Sequence, residues 1–275
     1  MSEKTITILA NEQSLSVHEG LTVGQLRQEI KPDADVLVVN GFPNSPDTPL
    51  KDKDEVIFIR RGEIPKAEEL EALMASRHTP GVHARLKKAT VGIAGLGGLG
   101  SAVTIALARV GVGTLILADF DLVEPSNLNR QHYTVGHIGL AKADAMGRIL
   151  KEINPYLNIL THKVILDREN IPRLFQNADI IVECFDRPEA KVMMMQTVAE
   201  ALPNTFMIGA SGMAGYGDSN SIQTMRLGEK IFMVGDFVTA AEPGRGLMAP
   251  RVGIAAHHQA NLVLNLLMGS EHMKL

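Results

Sequence analysis

A glycine-rich turn in the middle of the chain constrains the fold more than any other segment. The sequence Gly95-Leu96-Gly97-Gly98-Leu99-Gly100 follows an apolar run over Thr90 to Ala94 and precedes a predicted helix over Ser101 to Val110. Glycines at such positions let the backbone approach phosphate oxygens, and the unpaired amides at the helix start point toward negative charge. Glycine turns also serve tight strand-to-helix packing, but the strand and helix around this one favour a nucleotide site.

The chain beyond Thr90 alternates short apolar segments with longer helical stretches. Parallel strands need a crossover, usually a helix, so the alternation predicts a doubly wound, Rossmann-like α/β domain with a mostly parallel sheet. Asp119 follows the second strand, about 20 residues beyond the turn, where a carboxylate can accept hydrogen bonds from ribose hydroxyls. The predicted strands are Thr90 to Ala94, Thr114 to Ala118, Asn158 to Val164, Asp179 to Glu183 and Thr205 to Gly209.

The N-terminal part of the chain has a different pattern. Alternating apolar residues predict two strands joined at Asn11-Glu12, and Thr22 with Gln25 forms a capping box for a helix that ends before Pro32. The predicted elements are strands over Thr5 to Ala10, Ser14 to Val17, Val36 to Val39 and Glu55 to Ile59, a helix through Ile30 and a later helix over Lys66 to Ser76. This order is typical of a small β-grasp, ubiquitin-like α+β domain. Because the segment from Arg60 to Pro65 breaks the periodicity, we expect one domain at residues 1–62 and a second at 63–275.

Composition and charge exclude several classes of protein. The chain of 275 residues is 45% hydrophobic and 21% charged, which is ordinary for a folded protein. Its net charge of −4 provides no positive field for nucleic acid or an anionic membrane surface. The N-terminus has no apolar secretion signal and no apolar run is long enough to span a bilayer, so a cytoplasmic location is expected. The single cysteine, Cys184, excludes an internal disulfide and a cysteine-based zinc site within one chain.

A polar segment after the second strand indicates which nucleotide the turn holds. The segment runs from Asp119 to Gln131 and is followed by Lys142. Arg130 and Lys142 can neutralise a polyphosphate, since arginine offers a planar fork of donors and lysine a compact charge. A solvated loop and a solvated helix face would explain the same two cations.

These motifs resemble the ThiF/MoeB and ubiquitin-activating superfamily across roughly residues 70 to 268, and most closely its short ThiF branch, which is associated with thiamine biosynthesis. The resemblance lies in the order and spacing of several motifs rather than in the glycine turn alone. The motifs are Gly95 to Gly100, Asp119 to Asp121, Ser126-Asn127-Leu128-Asn129-Arg130-Gln131, Lys142 and Phe185-Asp186-Arg187.

The resemblance implies an adenylyltransferase that uses ATP and Mg²⁺ to activate the C-terminal carboxylate of a ThiS-like sulfur carrier with a Gly-Gly tail. It implies that Asp119 holds the ribose, that Asp186 binds Mg²⁺ and that Arg77 reaches the phosphates of a neighbouring subunit, hence a homodimer. Without the resemblance, an ordinary helix N-cap is an alternative role for Asp186. The implied catalytic residues are Arg77, Arg130, Lys142 and Asp186, and the implied nucleotide-binding residues are Gly95, Gly97, Gly98, Gly100, Asp119, Asp121, Asn127, Arg130 and Lys142.

The chain departs from the family pattern in two respects. Many relatives carry two CxxC pairs for zinc and a further reactive cysteine, whereas Cys184 lies in an apolar strand and is expected to be buried and inert. No zinc is therefore expected, and the chemistry should end at the acyl-adenylate, with sulfur delivered by another protein. The N-terminal domain resembles ThiS but continues through Arg61-Gly62-Glu63 without a free Gly-Gly tail. It cannot be an ordinary substrate, and our hypothesis is that it assists dimer assembly or substrate docking.

Other functions stay open at this point. An NAD-linked oxidoreductase would share the turn and Asp119, and a non-catalytic carrier-binding protein could keep the nucleotide for structure alone. Two glycine-rich segments, Gly209 to Asn220 and Pro243 to Pro250, could line a channel for the carrier tail or form plain surface loops. We interpret His257-His258 and Met193 to Met195 as packing or surface residues of helices.

Overall fold

The computed structural model describes residues 4–78 and 80–269, without the side chains of residues 77 and 80. The chain divides into two compact units, Met1–Pro80 and Gly81–Leu275. None of the helices in the described part combines the length and apolar composition needed to cross a membrane.

The first unit is a β-grasp fold, as predicted. Its elements are β1 Thr5–Ala10, β2 Gln13–His18, α1 Val23–Ile30, β3 Val36–Val39, β4 Phe42–Pro43, β5 Glu55–Ile59 and α2 Ala67–His78. The strands form one sheet in the order β2-β1-β5-β3-β4, in which β1 and β5 are parallel. The predicted capping box is present, since the Thr22 hydroxyl accepts from the Gln25 amide and the Gln25 side chain accepts from the Thr22 amide. Val23 and Leu26 of α1 are buried in the core of this unit.

A short irregular segment connects β5, the last strand of the β-grasp unit, to α2. Residues 60–66 have no regular structure, and Lys31 at the end of α1 forms ion pairs with Glu63 at 2.5 Å and with Glu69 of α2 at 3.9 Å. The hydrogen bond to Glu63 raises the pKa of Lys31 above its ordinary value. The segment that follows the last strand is therefore fastened to its own unit.

The second unit is a doubly wound α/β domain, as predicted. From Pro80 onward the elements are α3 Pro80–Lys88, β6 Thr90–Ala94, α4 Gly98–Arg109, β7 Thr114–Ala118, α5 Lys142–Ile153, β8 Asn158–His162, α6 Asn170–Phe175, β9 Ile180–Glu183, α7 Pro188–Ala201, β10 Phe206–Ala210, β11 Gln223–Arg226, β12 Ile231–Gly235 and α8 Ala249–Leu267. The sheet order is β11-β12-β10-β9-β6-β7-β8, and only β11 is antiparallel to its neighbour. One face of the sheet packs against α4, α5 and α8, and the other against α6 and α7.

The topology fixes where a ligand should bind. β6 lies between β7, which follows it in the chain, and β9, which comes later, so the strand order reverses beside β6. Ligands of open α/β sheets bind at the carboxyl ends of the strands at such a switch point. The glycine turn, Asp119 and Asp186 all follow strands at this edge.

Candidate nucleotide site

The glycine turn is tightly packed at Gly95 and Gly100 and has free space beside Gly97. Gly95 has a positive φ of 92° and donates its amide to the Ala118 carbonyl at 2.8 Å. A Cβ at Gly100 would lie 1.9 Å from the Gly95 carbonyl oxygen, whereas a Cβ at Gly97 would meet nothing closer than the Gln131 Nε2 at 3.8 Å. Gly98 is already the first residue of α4, three residues before the predicted start. The start of α4 is thus accessible to a ligand on the side of Gly97.

Asp119 ties the end of β7 to this turn. Its Oδ2 accepts from the Leu96 amide at 2.6 Å and its Oδ1 from the Asp121 amide at 2.8 Å. Burial raises the pKa of Asp119 above its ordinary value, and the two amide hydrogen bonds oppose that shift. Each carboxylate oxygen has a second lone pair, so both can also accept from a ribose hydroxyl. The ribose role remains a prediction.

Lys142 and Asp121 form an ion pair in which the lysine is buried and the aspartate is partly exposed. Lys142 is the first residue of α5, and its Nζ lies 2.8 Å from the Asp121 Oδ2. The Lys142 amide also donates to the Asp121 carbonyl at 2.9 Å. Only 7% of the lysine side chain is exposed, against 46% for the aspartate. The ammonium group retains donors that the pair does not use, and these are available to a phosphate.

Asn127 and Arg130 lie in a short segment between β7 and α5. The Asn127 Oδ1 accepts from the Glu124 amide at 3.0 Å, while its Nδ2 has no partner among the described residues. Arg130 donates through Nη1 to the Asn129 Oδ1 at 2.8 Å, and its Cγ would lie 3.5 Å from a Cβ at Gly98. The Arg130 stem therefore lies beside Gly98 at the start of α4.

Asp186 is an exposed carboxylate at the switch point, two residues before α7 begins. The N-cap of α7 is Arg187, so Asp186 is not the cap of that helix. Its carboxylate has no hydrogen-bond or ion-pair partner within the part of the chain that the structure describes. Mg²⁺ is usually held by one or two carboxylates together with water and substrate phosphates, and a free exposed carboxylate suits that role. Among the described residues there is no group of three acidic, histidine or cysteine side chains that could hold a metal by itself.

Two buried groups beside the site were not identified from the sequence. Glu183, the last residue of β9, is 1% exposed and accepts from Lys191 Nζ at 2.9 Å and from the Phe185 amide at 2.6 Å. Burial raises its pKa, and Lys191 opposes the shift. The Tyr133 hydroxyl donates to the Leu96 carbonyl at 2.9 Å and so links the segment before α5 to the glycine turn. A charged residue that ends an otherwise apolar strand was the available signal for Glu183.

Other predicted residues lie apart from this set. Arg77 is in α2, and its side chain lies outside the described residues. Met193 to Met195 lie in α7 and His257-His258 in α8, as predicted. His257 and His132 line a groove of about 670 Å³ between α4, α5 and α8, which contains none of the predicted catalytic or nucleotide-binding residues.

The Cys184 thiol is buried, as predicted, and should be unreactive. Burial raises its pKa well above the ordinary value, with Glu183 adding to the shift. We expect no labelling of the native chain by iodoacetamide at pH 8 and one label per chain in denaturant, measured by mass spectrometry. Cys184→Ala should then retain any activity of the chain, and a covalent carrier–Cys184 adduct would contradict this prediction.

The sheet order, the open turn at its switch point and the cations beside that turn define the class as a doubly wound α/β protein with a Rossmann-type nucleotide site. Comparison with known families is more specific. The chain belongs to the ThiF family, whose sequence model matches residues 71–275. A second model, described as ThiS-like ubiquitin, matches residues 6–62.

Individual relatives agree with this family. The adenylyltransferase and sulfurtransferase UBA4 of Candida glabrata is 33% identical over 192 residues, which cover 67% of this chain and 44% of the relative. The ubiquitin-like modifier-activating enzyme 5 of Drosophila ananassae is 35% identical over 157 residues, or 53% of this chain and 39% of the relative. This chain therefore spans less than half the length of either curated relative.

Solved structures show the same fold at lower identity. The E. coli tRNA N6-threonylcarbamoyladenosine dehydratase TcdA, solved in complex with ATP, has a TM-score of 0.68 at 19% identity, covering 78% of this chain and 100% of its own. E. coli MccB, solved with MccA-N7isoASN, has a TM-score of 0.57 at 22% identity, covering 78% and 75%.

Proposed function

We propose that the chain is an ATP- and Mg²⁺-dependent adenylyltransferase that activates the C-terminal glycine carboxylate of a ThiS-like sulfur carrier. In this proposal the carrier ends in Gly-Gly and serves thiamine (thiazole) biosynthesis. Residues 1–62 form a ThiS-like domain, residues 63–275 the adenylyltransferase domain, and the enzyme acts as a homodimer in which Arg77 reaches the partner's site.

One observation carries the proposal. Segments that follow β6, β7 and β9, the three strands at the switch point, carry an open glycine turn, the Arg130 and Lys142 cations and the unpartnered carboxylate of Asp186. A dinucleotide oxidoreductase needs the turn and Asp119 but has no use for the other three side chains. A triphosphate with its metal ion uses all of them. The ThiF family match over residues 71–275 agrees with this assignment.

The reaction needs no nucleophile from the protein. A carboxylate oxygen of the carrier attacks the α-phosphorus of ATP, the bond from that phosphorus to the bridging oxygen breaks, and pyrophosphate leaves with the electron pair. Negative charge develops on the phosphoryl oxygens, so fixed cations and positioning supply the catalysis. Arg130 and Lys142 would neutralise this charge, the Asn127 amide would orient the triphosphate and Asp119 would hold the ribose.

Asp186 is the residue that would hold Mg²⁺, which when bound neutralises phosphate charge and activates the phosphorus toward attack. Because the Asp186 carboxylate is exposed and unpaired, it can take this role without breaking an existing contact. Asp121 is already paired with Lys142, and Asp119 with two backbone amides.

Pyrophosphate exchange tests the proposal directly. The full chain, ATP, Mg²⁺ and labelled pyrophosphate are incubated with candidate ThiS-like carriers, and label entering ATP is measured. Each carrier is matched by a form that lacks its last two residues, so that its terminal carboxylate falls short of the α-phosphate. Exchange that requires the intact tail is the expected result. No exchange with any carrier would favour a non-catalytic carrier-binding protein.

The nucleotide preference provides a second test. At about 100 times its Kd, a ligand stabilises the folded state by about 2.7 kcal/mol, which would raise the melting temperature of this domain by about 5–10 °C. We expect such a rise with ATP and Mg²⁺ and none with NAD, measured by scanning calorimetry of the full chain. A rise with NAD alone would favour the oxidoreductase.

A further inference from the structure

A buried ion pair lies at the carboxyl edge of the second unit's sheet, beside the end of β12. Arg251 is in the first turn of α8 and Asp236 directly follows β12, and their Nη2 and Oδ2 atoms are 2.6 Å apart. Their side chains are 5% and 8% exposed. Removing a pair of this kind from water is costly, so it persists only where additional hydrogen bonds complete it.

Arg251 uses both terminal nitrogens on the loop that follows β10, while its buried Nε has no partner among the described residues. Nη1 donates to the carbonyls of Gly217 at 3.1 Å and Asp218 at 2.8 Å, and Nη2 donates to the Ser221 hydroxyl at 2.9 Å. One guanidinium group therefore fastens this loop to the start of α8.

Asp236 fastens a second loop, the one that follows β12. It accepts from the amides of Val238 at 2.9 Å and Thr239 at 2.8 Å, and from the Thr239 hydroxyl at 2.6 Å. Burial raises the pKa of Asp236, but the hydrogen bonds from Thr239, Val238 and Arg251 outweigh it and hold the pKa well below its ordinary value. The first loop comes so close that a Cβ at Gly212 would lie 2.2 Å from the Asp236 Oδ1. The charged pair thus holds both loops together.

Each of the two loops has a large side chain that is exposed to solvent. Tyr216 of the first loop is 82% exposed and Val238 of the second is 83% exposed. The Gly215 amide also donates to the Gly246 carbonyl at 2.8 Å, so the segment before α8 is bonded to the first loop. Large exposed apolar groups on loops that are rigidly held indicate a binding surface.

We propose that Arg251 and Asp236 are positioning residues that hold these two loops in the shape that receives the carrier's C-terminal tail. This inference rests on the proposed function and extends it to residues that do not touch the nucleotide. Tyr216 and Val238 contact the tail or the residues before it, while Arg251 and Asp236 act through the backbone. Their loss should weaken binding of the carrier and leave binding of ATP unchanged.

The test is Arg251→Lys, which keeps the charge but lacks the planar fork that reaches four acceptors. The matched control is Arg226→Lys. Arg226 also donates to two carbonyls, those of Gly228 and Glu229, but at the turn between β11 and β12. We expect the KM for the carrier to rise about tenfold or more in Arg251→Lys, with kcat and the KM for ATP within about twofold of the parent. Arg226→Lys should change none of the three.

Two further measurements distinguish a changed loop conformation from a general loss of folding. Tyr216→Ser alters only an exposed side chain, so folding is preserved, and it too should raise the KM for the carrier. Hydrogen exchange should show faster exchange of residues 212–221 and 236–239 in Arg251→Lys and no change around the glycine turn.

An unchanged carrier KM in both Arg251→Lys and Tyr216→Ser, with the parent chain active, would overturn the inference alone. Equal rises in the KM for ATP and for the carrier would also overturn it. Absence of exchange in the parent chain would instead remove the proposed function, and with it the role in carrier binding, while hydrogen exchange would still decide whether the pair holds the loops.

Discussion

Asp186→Ala is expected to lower carrier-dependent pyrophosphate exchange by at least about 100-fold, and Arg130→Ala to do the same. Asp186 is the unpartnered carboxylate at the switch point, so its loss removes the predicted metal ligand without breaking a contact that stabilises the fold. The Arg130 stem lies beside Gly98 of the glycine turn, where developing charge on the phosphate would lie. Exchange kinetics at saturating carrier and ATP measure both effects.

The matched control for Asp186 is Glu189→Ala. Glu189 is an exposed carboxylate in the first turn of α7, three residues further along the chain, so it carries the same charge close by. This variant should retain exchange within about twofold of the parent. Melting temperatures should be nearly equal in all three variants, because the altered side chains are at least partly exposed. Near-normal exchange in both Asp186→Ala and Arg130→Ala would refute the assignment of the site.

Gly100→Ala should destabilise the second unit by at least about 3 kcal/mol or prevent its folding. The added methyl carbon would lie 1.9 Å from the Gly95 carbonyl oxygen, and a backbone atom in a tight turn cannot move aside as a side-chain end can. Relief would require the strand β6 and the helix α4 to separate. Guanidinium unfolding followed by circular dichroism measures the loss.

Gly97→Ala is the control from the same turn. A Cβ at Gly97 meets nothing closer than 3.8 Å, so this substitution creates no backbone clash of the kind expected at Gly100. With a ψ of −148° the backbone of Gly97 is mildly unfavourable for alanine, so we expect a loss of stability of about 1–2 kcal/mol, smaller than that of Gly100→Ala. The methyl group would also hinder a nucleotide that approaches the open side. Similar losses in the two variants would show that the turn is less tightly closed than its geometry indicates.

The bounds of a strand or helix could be predicted from the sequence where its own residues determine its structure. Four strands were predicted with the observed bounds, because apolar alternation or a continuous apolar run, together with flanking turn residues, sets their ends: Val36–Val39, Glu55–Ile59, Thr90–Ala94 and Thr114–Ala118. β11 and β12 were not predicted. β11 is short, mostly exposed and antiparallel at the sheet edge, so it has no apolar pattern of its own. The start of α4 was placed three residues late because glycines Gly98 and Gly100 are helical only through their tertiary setting.

The same division applies to the site. The motifs predicted which residues gather at the sheet edge, because parallel strands place the residues that follow them side by side. They did not predict the pairs Lys191–Glu183 and Arg251–Asp236, or the bond from Tyr133 to Leu96. Each of these contacts joins two different segments of the chain, and no short-range sequence pattern predicts it. The partners meet only because the complete fold brings the two segments together.

The ion pair between Lys31 and Glu63 has a consequence for the role of the N-terminal unit. A protein that delivers its own last residues into another enzyme must keep them loose and finish with an unattached end. Here the chain leaves the final strand, is held at once by a lysine and enters a helix. The segment after the final strand is therefore unlike the free end that a carrier must offer, which agrees with the expectation that the N-terminal unit is not an ordinary substrate.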